Sequence, residues 1–200
     1  MDLTEFYDIL GQSESETDRL RVLRKLVFHG TPAVFNGNED EYFEFRQLVA
    51  ERFKIGYQEV FIVGSAKLGF SYVKETEFSY DSDIDVVLVN RELFERYFKI
   101  ICDYQYNLDQ FRKIPSKREL SDYNRFLQYL VKGWMRPDLL PYSFQTGKIK
   151  TEWFEFFESI SNGRSNIGNY KVNAGLFKDY SFLEKYHLNG LNQVHQKITS

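Results

Sequence analysis

The sequence predicts an α/β fold of the α+β kind, in which a few short strands sit among amphipathic helices. Three observations carry this. Two runs, Glu59–Val63 and Asp83–Val89, are apolar, rich in β-branched residues and too short to be helices. A third run, Tyr170–Phe177, comes late in the chain and also has strand character. Much of the rest of the 200 residues carries apolar side chains at helical spacing.

Residues 2–11 read as a short helix, with Leu3, Phe6, Tyr7 and Leu10 on one side and Gly11 at its end. Ser13 or Ser15 can cap a second helix running to about Phe28, where Leu20, Leu23 and Val27 separate from Arg19, Arg21, Arg24 and Lys25. His29-Gly30-Thr31-Pro32 breaks it. A third helix spans 38–53, capped by Asn38, with a stripe of Tyr42, Phe45, Leu48, Val49 and Phe53. The first strand ends at Gly64-Ser65, and Ser65 to about Gly69 begins a helix or tight loop. Residues 70–82 are polar, aromatic and irregular. The second strand stops at Asn90. A helix over 91–104 follows, with Leu93, Phe94, Tyr97, Phe98 and Ile101 on one side. The helix over 116–131 opens with Ser116 and Glu119 spaced as a capping box. Residues 133–141 read as a loop with two prolines, 151–160 as an aromatic helix, 162–169 as a flexible surface loop, and 181–196 as a last helix. The whole reads as one domain over 1–200: a helical part at 1–55, a core at 56–104, and a mostly helical remainder at 105–200.

Composition narrows the function classes. Net charge is -3, so the chain lacks a whole-molecule basic signature for nucleic acid. Its 19 Phe, 14 Tyr and 2 Trp can fill a core with large rings or offer base-stacking surface. The single cysteine, Cys102, excludes an internal disulfide framework and a cysteine-built zinc site, and it is expected to be a buried thiol. No apolar run is long enough for a membrane span, and the acidic N-terminus does not resemble a signal peptide, so a cytoplasmic protein is expected.

The candidate site is Gly64-Ser65 with Asp83-Ile84-Asp85. Side chains two apart on a strand point to one face, so Asp83 and Asp85 stand together while Ile84 turns to the core. Two like charges on one face need a cation. Magnesium suits them, because it takes one or two carboxylates together with phosphate oxygens and water. A glycine lets a backbone approach a triphosphate closely, Ser65 can donate a hydroxyl, and Lys67 can neutralise phosphate charge. Together these residues suit attack of a hydroxyl on an α-phosphate, helped by positioning and electrostatics.

On these residues, Phe61-Ile62-Val63-Gly64-Ser65 followed by Asp83-Ile84-Asp85-Val86 resembles the polymerase-β-type nucleotidyltransferase superfamily over residues 58–90. The resemblance implies a mixed, twisted sheet flanked by helices. It also implies that Asp83 and Asp85 hold magnesium as catalytic ligands and that Gly64-Ser65 holds the triphosphate of an NTP or dNTP. The chain departs from the pattern in three places. The spacer at 66–82 is long, which makes Tyr72–Tyr80 a candidate hairpin or flap. Lys67 or Leu68 stands where the family often has arginine. The late strand offers Asn173 where active members often carry a third carboxylate, with Asp81 as a candidate substitute. Gly64–Ser71 joined to Trp134–Pro141 is further similar to small bacterial nucleotidyltransferases, some of which act in anti-phage defence, including the nucleotide-polymerising component of Hailong-type systems.

Three functions follow from that resemblance. The first is a magnesium-dependent enzyme that builds an oligonucleotide or a nucleotide signal, with an oligonucleotide acceptor or product and a candidate partner effector protein. The second is nucleotidylation of a protein or tRNA, as in toxin–antitoxin relatives. The third is an inactive nucleotide- or nucleic-acid-binding module, motivated by Asn173. An oligomer is compatible with all three. Other residues read more plainly. His29, His187 and His195 are too scattered for a metal motif and suit surface or satisfied core roles. Arg136 and Asp138 suit a loop-fixing ion pair or a substrate contact. Lys148, Lys150, Lys171 and Arg164 suit a solvated face, or a nucleic-acid or triphosphate one. Trp153, Phe154, Phe156 and Phe157 suit the core.

Overall fold

The computed structural model describes residues 1–141 and 147–200, with residues 147–149 described in backbone only. Its centre is a mixed sheet of four strands. Strand β1 (Val60–Val63) is short and nearly all buried. The one-turn helix α4 (Ser65–Leu68) follows it, and a small hairpin of β2 (Phe70–Ser71) and β3 (Thr76–Glu77) leads into β4 (Ile84–Val89). The order across the sheet is β1-β4-β6-β5, with β6 at Val172–Phe177 and β5 at Trp134–Met135. β1 runs antiparallel to β4, β4 parallel to β6, and β5 antiparallel to β6. A parallel neighbour needs a long crossover. Here it is supplied by α5 (Arg91–Asp109), α6 (Lys117–Val131) and α7 (Gly147–Ser159).

Alternation along the strands divides the core in two. Val60, Ile62, Ile84, Val86, Leu88, Val172 and Leu176 face one way and are buried with α3 (Glu39–Phe53), α5, α6 and α7. Val63, Val87, Val89 and Phe177 face the other way. They pack with α1 (Leu3–Gly11), the helical stretch ending at Phe28, the hairpin and α8 (Tyr180–Thr199). Both faces of the central strand β4 are therefore covered, and its run Val86-Val87-Leu88-Val89 is buried throughout. Among the described residues no helix is long and apolar enough to cross a membrane.

The helix starts follow their caps. Asp2, Ser15, Asn38 and Ser116 each accept a hydrogen bond from a backbone amide of the first turn. The expected α/β (α+β) class, a mixed sheet with helical terminal parts, is what the chain adopts.

Several local expectations are corrected. The second helix is α-helical only over α2 (Glu16–Val22) and then widens into a π-helical turn at Leu23–Phe28, where the His29 amide reaches the Arg24 carbonyl at 3.0 Å. Residues 133–141 contain a two-residue edge strand, which stops at Pro137 because proline has no amide to continue the ladder. The hairpin occupies 70–77 rather than 72–80. α5 runs on to Asp109. Leu48 and Phe98, at 41% and 42% exposed, lie outside their stripes. Cys102 is half-buried rather than enclosed.

Candidate functional site

The two acidic side chains open β4. Asp83 is the residue before the strand and Asp85 is its second member, with Ile84 fully buried between them. The register places Asp85 opposite Val63 of β1 on one side and Asn173 of β6 on the other. Gly64, Asp85 and Asn173 therefore converge at one end of the sheet. Gly64 has φ 69° and ψ -149°, a conformation open almost only to glycine. A Cβ at this position would stand 3.1 Å from Asp85 Oδ2. The glycine thus turns the chain and leaves the space beside the carboxylate clear. The Asn173 amide donates to Asp83 Oδ2 at 2.8 Å.

Charge is crowded here. Protein packed about the Asp85 carboxyl, and then the neighbouring Asp83 charge, raise its pKa above the ordinary carboxylate value. Lys74 and Arg136 act against that rise. Asp85 keeps access to solvent, so crowding of the carboxyl, not enclosure of the whole residue, is the cause. Two carboxylates in mutual repulsion, with cations only at a distance, fit a magnesium ion arriving with a phosphate ligand. Among the described residues no three His, Cys, Asp or Glu side chains gather as a metal site. Magnesium does not require three when phosphate and water complete its shell.

A cleft of about 920 Å³ opens at this end of the sheet. Gly64, Asp85, Lys171, Asn173 and Gly175 all line it. Tyr72 and Val73 of the hairpin close one side, and Arg136 and Asp138 stand after β5. Arg136 pairs with Asp138 at 2.8 Å and lies over the rings of Tyr129 and Trp134. It therefore fixes its loop while presenting charge to the cleft.

The other predicted residues separate into those near the cleft and those away from it. Ser65 starts α4 directly after Gly64. Lys67 is 6% exposed and turns its ammonium to the carbonyls of His29 and Gly30, at 2.5 and 2.6 Å. Burial lowers its pKa to about 8. It is absent from the cleft lining and braces the turn before α3 instead. Asp81 is exposed in the loop before β4 and also lies outside the lining. Lys171 lines the cleft, Lys150 donates to the Leu140 carbonyl, and Arg164 is exposed. The Lys148 side chain falls outside the described residues. Trp153 and Phe157 are core, whereas Phe154 is 39% exposed. His29 is exposed. His187 and His195 have a buried Nε2 with no hydrogen-bond partner among the described residues, contrary to the expected surface or satisfied roles.

Lys74 and Tyr186 were not singled out from sequence. Lys74 sits in the hairpin turn and acts electrostatically on Asp85. Only its place in the long spacer hinted at this. Trp134 stacks on Phe177 at 5.4 Å and 5° and lines the cleft. Tyr186 and His187 of α8 enter the same lining. Burial lowers the His187 pKa to about 4, so its imidazole is neutral at neutral pH. The chain has no significant match among family models, curated proteins or solved structures.

Proposed function

We propose that the protein is a magnesium-dependent nucleotidyltransferase that moves an NMP or dNMP unit from its triphosphate to a hydroxyl, building an oligonucleotide or nucleotide signal. The observation that carries this reading is the convergence of Asp83 and Asp85 with Gly64, whose missing Cβ leaves room beside Asp85. The acceptor oxygen forms a bond to the α-phosphorus, and the bond from that phosphorus to the bridging α–β oxygen breaks. Pyrophosphate leaves and the hydroxyl proton passes to solvent. Asp83 and Asp85 would hold the metal, which neutralises phosphate charge when bound. Gly64 and Ser65 let the backbone approach the triphosphate. Arg136, Lys171 and Lys74 supply the cations for it, in place of Lys67, whose ammonium is committed elsewhere. Asn173 orients Asp83 by its hydrogen bond. A cytoplasmic location, where nucleotides and magnesium are plentiful, belongs to the same proposal, as do a defence role and a partner effector.

The test is incubation with each labelled NTP and dNTP, magnesium and supplied acceptors, following pyrophosphate and extended product. Product that disappears in Asp83→Ala and Asp85→Ala supports the reading. Absence of both pyrophosphate and product with every nucleotide sinks it. One observation favours a second reading, nucleotide binding without turnover: the amide of Asn173 stands beside the pair, and an amide cannot accept a proton as a base. Calorimetry separates the two. Metal-dependent nucleotide binding without product selects the second.

A further inference from the structure

Outside the cleft, on the Asp83 side, three aromatic rings form a row. Phe78 packs against Tyr170 at 5.0 Å between centroids, and Tyr170 lies against Tyr80 at 6.1 Å with only 8° between the planes. Tyr170 is held in place, packing partly against the core. The chain also passes close beside its ring at Gly168, where a Cβ would come within 3.3 Å. Tyr80 ends the row and is 83% exposed. An aromatic ring left this open to solvent, yet fixed in parallel on a second ring, is a prepared stacking face.

Its location gives the face a use. Tyr80 precedes Asp83 by three residues. Tyr170 precedes Lys171, whose carbonyl accepts from the Ile84 amide at 2.8 Å. The row therefore borders the start of β4. None of its rings lines the cleft, and Asp83 does not line it either, whereas Asp85 does. The two carboxylates thus straddle the boundary between the cleft and the rim that carries the rings. With the triphosphate in the cleft beside Asp85, the rim beside Asp83 gives the second reactant its own approach to the carboxylate pair. We infer that the Tyr80–Tyr170 row is the acceptor subsite, and that the acceptor is a nucleoside or oligonucleotide end whose terminal base stacks on Tyr80. The inference rests on the nucleotidyltransferase reading and names its acceptor class. The exposed carboxylates Asp81 and Asp83 flank the rings, so recognition falls to the base face and not to phosphate charge.

The experiment has a binding arm and a turnover arm, both on the full chain. Fluorescence anisotropy with magnesium follows a labelled hexanucleotide, in ribo and deoxyribo forms, beside the same probes with an abasic 3′ residue. Tyr80→Ala should weaken binding of the intact probe about tenfold, whereas Tyr80→Phe should leave it within about twofold. The abasic probe should bind wild type and Tyr80→Ala alike. In turnover, Tyr80→Ala should raise the acceptor KM by a similar factor and leave the nucleotide KM unchanged. Tyr80 is exposed, so its removal leaves both cores intact. Equal binding of intact and abasic probes, or of wild type and Tyr80→Ala, overturns the subsite even if transfer is detected. Base-dependent binding without any product keeps the subsite and overturns transfer instead.

Discussion

Gly64 is where backbone conformation and site chemistry meet in one residue. Its φ and ψ lie in a region that other residues enter at a cost of about 1–3 kcal/mol. Gly64→Ala should lower the unfolding free energy by about that much in urea titrations. It should also lose nucleotide binding more than a stability loss explains, because the new methyl would meet Asp85 Oδ2 at 3.1 Å. His187 makes a different prediction. Burial depresses its pKa to about 4, below the 6.5 of the unfolded chain. Between those values the unfolded state binds the extra proton, so stability rises with pH. The contribution is fully present above about pH 6.5 and is lost as pH falls toward 4, amounting to about 3 kcal/mol. The difference between wild type and His187→Leu, measured by urea unfolding at several pH values, should show this slope. A difference that is constant from pH 7 to pH 4 would remove the assignment.

At the scale of elements, the edge strand β5 holds Arg136 at the cleft. A Cβ on Gly175 would stand 2.3 Å from Trp134 Nε1 and 3.3 Å from the Met135 carbonyl. Gly175→Ala should therefore push β5 off β6, cost about 2–3 kcal/mol of stability, and raise the nucleotide KM through Arg136. Adding Trp134→Leu should restore much of the stability on thermal melting, since it removes the opposing indole. β5 was hidden from sequence reasoning because only two of its residues pair and two prolines follow closely. β1 and β4 were legible because buried strands need continuous apolar runs, β6 only from its general strand character since Asn173 and Gly175 interrupt it, and α6 from its Ser116–Glu119 box. The acidic pair was legible for a similar reason: the two-residue period of a strand fixes which side chains share a face. Lys67 misled because proximity to Gly64 in sequence does not set side-chain direction on a one-turn helix, and two carbonyls from a distant turn take its ammonium. Lys74 reaches the site through a local hairpin whose turn geometry sets its direction, and Arg136 through the edge strand β5, whose pairing with β6 is long-range and has no local pattern to report it.

At the scale of the molecule, the acidic pair is a cost that the rest of the fold carries. Two separate cores, one on each side of β4, hold Asp83 and Asp85 on one face although each raises the energy of the other. The hairpin beside them is tied to both chain ends: the Tyr7 hydroxyl donates to the Tyr72 carbonyl at 2.8 Å, and Lys197 pairs with Glu75 at 2.6 Å. Binding a metal–nucleotide complex between carboxylates, hairpin and Arg136 should therefore stabilise the whole chain rather than the loop alone. A ligand at a hundred times its Kd adds about 2.7 kcal/mol. For a chain of 200 residues this raises the Tm by about 5–10 °C. The prediction is read by calorimetry with magnesium and a triphosphate bridged by a non-hydrolysable α–β linkage, each also added alone. Magnesium and nucleotide together should exceed the sum of their separate shifts, because phosphate oxygens complete the metal's shell. Asp83→Ala and Asp85→Ala should abolish that excess while Lys67→Met retains it. A synergy unchanged in both aspartate variants would locate the nucleotide elsewhere on the molecule.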